Sequence, residues 1–345
     1  MSDLITLSEL LPEEISEKLE LSQKFRGKQI FQWIAKGVSE FDQMTNLDKN
    51  LRNQLKQKSR IFSTKITKIL EDPDGTIKLQ ITLDDGLSIE TVLLIDKEGR
   101  KTACVSCQAG CAMKCAFCMT GTLGLARNLT GGEIVEEFLH LEKIAGHLDN
   151  IVFMGMGEPM QNLPGIRKAL EILTQKDGRN LSTRRITLST CGLTKGIYDL
   201  ADNGPHMRLA LSLTTADPEL RERLMPSAKG NPLPELKKAL SYYTKKTGKR
   251  VTLEAALLSG KNTSIESARN MVNFARGLNV YINLIPWNEV EGLDFKTPTH
   301  AECKKFSDYL VTQGLNVNLR VRRGEKIGGA CGQLGSTVSN SMKKI

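Results

Sequence analysis

Apolar positions change their spacing twice along this chain, which divides it into three stretches and a tail. Over residues 1–62 they recur at helical spacing. Leu7, Leu10 and Leu11 begin one stripe, Ile30, Phe31 and Ile34 a second, and Leu47, Leu51 and Leu55 a third. This predicts a small N-terminal helical accessory domain. Over residues 63–99 the period falls to two, in KITKIL, TIKLQITL and SIETVLLI, with Pro73-Asp74-Gly75 and Asp84-Asp85-Gly86 as turn signals. A small antiparallel β-sheet extension is expected there. Over residues 100–335 short apolar runs alternate with helical segments: TACVS, NIVFMG, RITLST, RLALSL, VTLEAALL, YINLIPW and NLRVR. That alternation implies parallel strands joined by crossover helices, so the fold class is α/β. The first crossover helix has a clear start, Thr130 with Glu133 three residues on, ahead of Ile134, Val135, Phe138 and Leu139. Residues 336–345 read as a short tail, and no internal repeat is evident.

Composition narrows the class. With 345 residues, 40% of them hydrophobic, the chain is long and apolar enough to bury a full core. It has no run of eighteen apolar residues, and the start MSDLITLSELLPEE is acidic and amphipathic, unlike a basic leader with an apolar stretch. A cytoplasmic protein with no membrane partner is expected. Lys plus Arg number 48 against 39 Asp plus Glu, a net charge of +9 that favours an anionic macromolecular partner. Lys24, Arg26, Lys28, Lys36, Arg52, Lys56, Lys58 and Arg60 place part of that charge on the helical stretch, either as an RNA-contacting face or as a solvated one. The four histidines fall in no ligand or triad spacing, which argues against His-based catalysis.

The cysteines carry the chemistry. Of eight, five lie between residues 104 and 118, and Cys111, Cys115 and Cys118 stand as C-x3-C-x2-C in VSCQAGCAMKCAFCMTG. Three closely spaced thiolates suit an iron-sulfur cube with one iron left open, whereas a structural zinc site wants four closed ligands. Cys104-x2-Cys107 and Cys115-x2-Cys118 can also be read as two zinc knuckles of an RNA-binding module, but their spacer is shorter than the roughly twelve to twenty residues usual for such pairs. Later strand ends carry small or polar groups: Gly155, Gly157 and Glu158 in FMGMGEPMQN, Ser189 in LSTCG, Ser212 in LSLTT and Asn288 in IPWN. Successive strand ends on one rim can cradle a nucleoside cofactor. Cys331 lies far from the cluster, in the Gly-rich stretch GEKIGGACGQLG.

The cysteine triplet, with Phe117 before its last member, resembles the signature of the radical S-adenosylmethionine (SAM) superfamily. That resemblance implies a partial (β/α)6 barrel, a 4Fe-4S cluster held by Cys111, Cys115 and Cys118, and SAM as second cofactor. The ordered segments GCAMKCAFCMTG, FMGMGEPMQN, RRITLSTCG, INLIPWN and ACGQL further resemble the RlmN/Cfr methyltransferases over nearly the whole chain. What that family implies is methylation of an adenine carbon in 23S rRNA, with an anticodon-adjacent adenosine in tRNA as a further candidate. Its members consume two SAM molecules per methyl group and draw on an electron donor such as flavodoxin or ferredoxin. By the same correspondence Cys331 carries the methyl group as nucleophile, Cys104 resolves the protein–RNA adduct as a disulfide, and Glu90 in SIETV accepts a proton. SAM contacts fall on Gly157, Glu158, Ser189, Ser212, Leu213, Thr214 and Asn288. Pro159 favours the branch that methylates adenine C2 over the resistance branch that methylates C8. Thr214 stands where the family often has His, Cys107 where it commonly has Ser, and Gly328 and Gly329 in a loop that often carries Asp.

Overall fold

A computed structural model describes residues 4–336 and 338 of the chain, so the predicted tail falls mostly outside the described residues. The N-terminal stretch opens with the two-residue strand β1 (Ile5–Thr6) and the helices α1 (Pro12–Lys18), α2 (Phe25–Ala35) and α3 (Lys49–Lys58), and β2 (Ser59–Arg60) returns to pair in parallel with β1. Helix starts follow the local chemistry. The Glu14 carboxylate accepts the Leu11 N–H at 2.7 Å ahead of Pro12, and Asp48 accepts the Leu51 N–H at 2.9 Å. Ile15, Ile30, Phe31, Ile34 and Leu55 are buried among Leu7 and Leu10, as the helical spacing predicted.

Next come β3 (Lys65–Glu71), β4 (Ile77–Thr82) and β5 (Ser88–Ile95), an antiparallel meander. It does not stand apart as a small sheet. Asp96 accepts the N–H groups of Glu98 and Arg100 and closes a turn. The turn folds β6 (Lys101–Val105) back on β5, with Val92 opposite Cys104. The hairpin β7 (Gln108–Cys111) and β8 (Gly124–Asn128), with the short α4 (Met119–Thr122) between them, brackets the cysteine loop. Then follow α5 (Gly131–Ala145), β9 (Asn150–Phe153), α6 (Leu163–Thr174), β10 (Ile186–Thr190), α7 (Thr194–Asn203), β11 (Arg208–Ser212), α8 (Pro218–Leu224), α9 (Leu233–Thr247), β12 (Val251–Leu257), α10 (Ile265–Ala275), β13 (Val280–Pro286), α11 (His300–Thr312) and β14 (Val317–Leu319).

The sheet order is β14-β13-β12-β11-β10-β9-β6-β5-β4-β3, with parallel pairing from β14 to β6 and antiparallel pairing beyond. Six crossovers join the parallel strands, and the sheet ends at β14 and β3 without closing, which is the partial (β/α)6 barrel that the cysteine motif implied. Helices cover its outside. Phe138, Leu188, Leu209, Leu253 and Ile282 are fully buried between the layers. Among the described residues no helix is long and apolar enough to cross a membrane.

Glu136 on α5 joins the N-terminal helices to this barrel. It is wholly buried and accepts the Ser8 hydroxyl at 2.5 Å, the Ser63 N–H at 2.9 Å and the Thr64 N–H at 2.7 Å. Removing it strands three donors away from water. Glu136→Ala is expected to cost about 3 kcal/mol in urea unfolding, since each buried donor left unpaired costs roughly 1–3 kcal/mol and part of that is recovered by relaxation.

Candidate active site

Cys111 ends β7, and Cys115 and Cys118 follow in the loop before α4. That loop is tied on three sides. Ala116 donates its N–H to Leu224 O at 2.8 Å, the Trp287 indole donates to Phe117 O at 2.8 Å, and Met119 donates to Gly332 O at 2.8 Å. Burial pushes the Cys111 thiol up to about 12, and burial together with the charges of its two partners raises Cys115. Arg221, almost fully buried, opposes the shift at Cys115. Its own guanidinium is pulled down to about 10 by burial while donating to Cys191 O at 2.7 Å and to Leu213 O.

Three soft thiols in one loop, packed among Met113, Cys191 and Trp287 and faced by a buried cation, fit a 4Fe-4S cluster. Among the described residues no three His, Cys, Asp or Glu side chains converge as ligands of a single ion do. Cys111, Cys115 and Cys118 would each hold one iron of such a cluster. The zinc-knuckle alternative meets a second obstacle. The charges that act most on the Cys104 thiol are those of Cys331, Glu137 and Arg320, and on Cys107 those of Glu158, Cys111 and Glu137, with neither Cys115 nor Cys118 among them. Cys107 has a packing role instead: its carbonyl accepts from Leu129 at 3.0 Å and from the Asn162 amide at 2.7 Å, and its sulfur lies under Gly157.

Six of the seven predicted SAM residues lie at or just past the C-terminal ends of β9, β10 and β11, and the seventh, Asn288, follows β13. Glu158, buried, accepts the Thr190 hydroxyl at 2.6 Å, the Cys191 N–H at 2.8 Å and the Met160 N–H at 3.0 Å, and burial still raises its pKa above the usual carboxylate range. The Ser189 and Ser212 hydroxyls lie 3.2 Å apart. Leu213 and Thr214 are both buried, and Thr214 holds a left-handed φ of 59° with its N–H on Glu254 O at 3.0 Å, a strained backbone for a β-branched residue. Asn288 is 2% exposed, and its Oδ1 has no hydrogen-bond partner among the described residues. A buried acceptor left open in this way suits a donor on a bound cofactor. Gly157 makes the cradle: at φ +106° a Cβ would meet Gln108 Cβ at 2.6 Å and Cys107 Sγ at 2.9 Å. Gly157→Ala is expected to lower SAM affinity at least tenfold by equilibrium dialysis, because Gln108, which fixes the Glu158 N–H at 2.8 Å, must shift.

A cavity of about 950 Å3 runs through the barrel, and both Cys104 and Cys331 line it, together with Asn288, Glu254 and Arg320. Among the seven predicted SAM residues only Asn288 lies on its wall. Cys331 is open to water yet enclosed by protein on the cavity side. Burial raises both thiols; the charge of Cys331 adds to the rise at Cys104, those of Glu254 and Cys118 add to it at Cys331, and Arg320 opposes it at both. Arg320 follows β14 in the predicted run NLRVR, and its role was hidden because a strand-end cation carries no motif. Arg320→Gln is expected to move the pH at which Cys331 becomes alkylated by iodoacetamide upward, since loss of the cation leaves burial unopposed.

Glu90 is not on the cavity wall. It is fully buried in β5, with one carboxylate oxygen 3.2 Å from Lys78 Nζ and the other accepting the Gly335 N–H at 2.8 Å. At its far end the cavity opens at the N-terminal ends of β10, β11 and β12 through a rim that includes Arg184, Arg185, Arg208 and Arg250, while Arg322 and Arg323 line it beyond the C-terminal end of β14. The Arg250 guanidinium lies 4.9 Å over the Tyr281 ring. These cations occur in the sequence as RRITL, RLAL, KRVTL and LRVRR, one group beside each of four strands, and only the fold gathers them.

Known proteins resemble this chain along nearly its whole length. Residues 105–272 match the radical SAM superfamily, and residues 14–61 match the ribosomal RNA large subunit methyltransferase N-terminal domain. A protein of Treponema denticola named "Probable dual-specificity RNA methyltransferase RlmN" is 61% identical over 97% of this chain and 96% of its own length. A Salinibacter ruber protein of the same name is 42% identical over 90% and 88%. The crystal structure of a radical SAM methyltransferase from Sphaerobacter thermophilus superposes with a TM-score of 0.92 at 38% identity, covering 96% of this chain and 99% of that one. Three cysteines fit for a cluster, a cradle fit for SAM and two further thiols in one cavity, carried by a chain this similar to RlmN proteins along its length, make it a member of the RlmN family of radical SAM RNA methyltransferases.

Proposed function

We propose that the protein methylates C2 of an adenosine in 23S rRNA, and an anticodon-adjacent adenosine in tRNA, through a methyl group carried on Cys331. The observation that carries this reading is the shared cavity: Cys331 and Cys104 line one space that Arg184, Arg185, Arg208 and Arg250 also line at the N-terminal ends of β10, β11 and β12. Bound at the cysteine loop and these strand ends' C-terminal counterparts, the cluster and SAM supply the methyl group and the one-electron chemistry that activates it. The remaining work belongs to the chain. Adenine C2 is electron-poor and a weak nucleophile, so a thiolate must take the methyl group first, and Cys331 is the water-accessible thiol of the cavity.

Joined to the base through that carbon, Cys331 is held beside Cys104. Once the ring proton is lost, attack of the Cys104 thiolate on the Cys331 sulfur breaks the sulfur–carbon bond, the departing methylene carbon takes up a proton to become the methyl group of the freed base, and a Cys104–Cys331 disulfide is left. An outside donor such as flavodoxin or ferredoxin supplies electrons for the cluster, and a thiol reductant reopens the disulfide. Glu90 is the family's proton acceptor. In this conformation its two oxygens accept from Lys78 Nζ and from the Gly335 N–H, so a proton taken up there adds to one of these bonds or displaces it. Mass spectrometry of nucleosides from 23S rRNA and tRNA treated with the reconstituted protein and SAM tests the reading. It predicts 2-methyladenosine from both. 8-Methyladenosine would assign the protein to the other branch, and unmodified RNA would sink the proposal.

A further inference from the structure

The antiparallel extension has no part in cofactor binding, yet its polar residues reach repeatedly to one distant segment. Gly324 donates its N–H to Asp74 Oδ2 at 2.9 Å, and Lys326 donates to Asp72 Oδ2 at 3.0 Å. Lys78 Nζ donates to Gly328 O at 3.1 Å and to Glu90 Oε1 at 3.2 Å, and Glu90 Oε2 accepts the Gly335 N–H at 2.8 Å. The four groups bracket Cys331 from both sides in sequence, at 324–328 and at 335. The segment between is almost bare of its own secondary structure, with a single turn at Glu325–Ile327. On its other flank it meets the cluster loop, where Met119 donates to Gly332 O at 2.8 Å and the Thr120 hydroxyl donates to Leu334 O at 2.6 Å.

We propose that Asp72, Asp74, Lys78 and Glu90 are positioning residues that dock the Cys331 strap, making the antiparallel extension the anchor that sets this thiol in the cavity. The proposal rests on the reading of Cys331 as the methyl carrier. Lys78 and Glu90 are 1% and 0% exposed, and a buried ion pair contributes little net stability compared with an apolar pair of the same volume. Its retention is explained by what each partner holds besides the other. Lys78 presents a cation to the strap carbonyl before Cys331, and Glu90 presents an anion to the strap N–H after it, so the two ends are fixed by charge-assisted bonds of opposite sense. Asp72 and Asp74 hold the strap's entry at the surface turn between β3 and β4. When the strap lifts, the pair gives up both of these bonds and the Glu90 carboxylate is released from the Gly335 N–H, which couples strap position to what that carboxylate can reach.

The test uses the full chain with its cluster reconstituted and has two readouts. The first is amide hydrogen exchange of peptides covering 324–335, read without RNA. Asp72→Ala/Asp74→Ala and, separately, Lys78→Met are expected to raise exchange there at least tenfold while strands β9 to β13 stay as protected as in the parent. Asp74→Asn, which keeps one acceptor oxygen for the Gly324 N–H but gives up the one on the Thr76 N–H, is expected to retain more of the protection than Asp74→Ala. The second is steady-state kinetics, in which the Asp72/Asp74 variant should lose about tenfold in kcat with KM for RNA changed less than twofold. Unchanged exchange in 324–335 overturns the proposal. So does exchange that rises across the whole barrel in the Asp72/Asp74 variant, whose changes are confined to a surface turn. A strap that loosens as expected in a protein that yields no methylated RNA leaves docking intact and removes the reaction assignment instead.

Discussion

Cys104→Ala is expected to convert the enzyme into a trap: incubated with SAM, reductant and RNA, it should accumulate a protein–RNA species that survives denaturing electrophoresis, at no more than one RNA per chain. Cys331→Ala should give neither that species nor methylated RNA, with turnover at least 10^3-fold below the parent, the order of loss seen when a covalent nucleophile is removed. The two outcomes differ because the thiols act on different bonds. In the proposed reaction Cys331 makes the bond to the carbon that reaches the base, and Cys104 breaks it. Geometry supports the division, since Cys331 is the thiol accessible to water and Cys104 sits 7% exposed in the middle of the sheet, where it can meet Cys331 but presents little surface to a large substrate. Neither replacement should unfold the chain. Deleting one sulfur from a buried site costs about 1 kcal/mol, so thermal unfolding serves as the control. Full activity of Cys331→Ala would sink the assignment, and an adduct formed equally well by both variants would relocate the nucleophile.

Much of the architecture was legible because the barrel is a local code repeated. Six of the seven apolar runs became strands, of NLRVR only Asn318 and Leu319 lie in one, and Thr130 with Glu133 became the cap of α5, with the Glu133 N–H on the Thr130 hydroxyl at 3.1 Å. The β7–β8 hairpin was missed for a physical reason. QAGC and GLARN are short, glycine-bearing and unalternating, and their pairing is set by the loop they enclose rather than by an apolar face. The meander's union with the barrel was hidden likewise, since hydrogen bonding between β5 and β6 leaves no mark on either strand's pattern. At the site, the cysteine spacing pointed to one loop because the three residues are neighbours in sequence. What could not be read is what the fold collects from afar: Arg320 beside the two thiols, Arg221 beneath the cluster loop, and Lys78 on Glu90. Cys107, for which sequence offered no role, packs against Gly157.

The basic charge illustrates the same limit and gives the other large effect. Sequence drew attention to the cations of the N-terminal helices, but the fold pairs many of them with acids: Lys28 with Asp177 at 2.7 Å, Lys56 with Asp42 at 2.8 Å and Arg60 with Asp84 at 2.6 Å. Arg184, Arg185, Arg208 and Arg250 on the cavity rim are exposed, and among the described residues none of them has a carboxylate within ion-pair distance. A chain whose substrate is a polyanion keeps unpaired charge where the phosphates pass. Arg184→Glu/Arg185→Glu is therefore expected to weaken RNA binding on the order of 10^2-fold at moderate salt. It should also flatten the dependence of log affinity on log salt by about 1.4, from roughly 0.7 for each phosphate that the variant no longer neutralises on single-stranded RNA. Titrations at several salt concentrations measure both. Thermal stability should stay within about 0.5 kcal/mol of the parent, because the substituted side chains are exposed and unpaired. The corresponding change at Lys28 and Lys56 should lower affinity far less, as those charges are already met within the protein. If the helix variant loses affinity and the rim variant does not, the RNA does not enter through this mouth and Cys331 must be reached from the other end of the barrel.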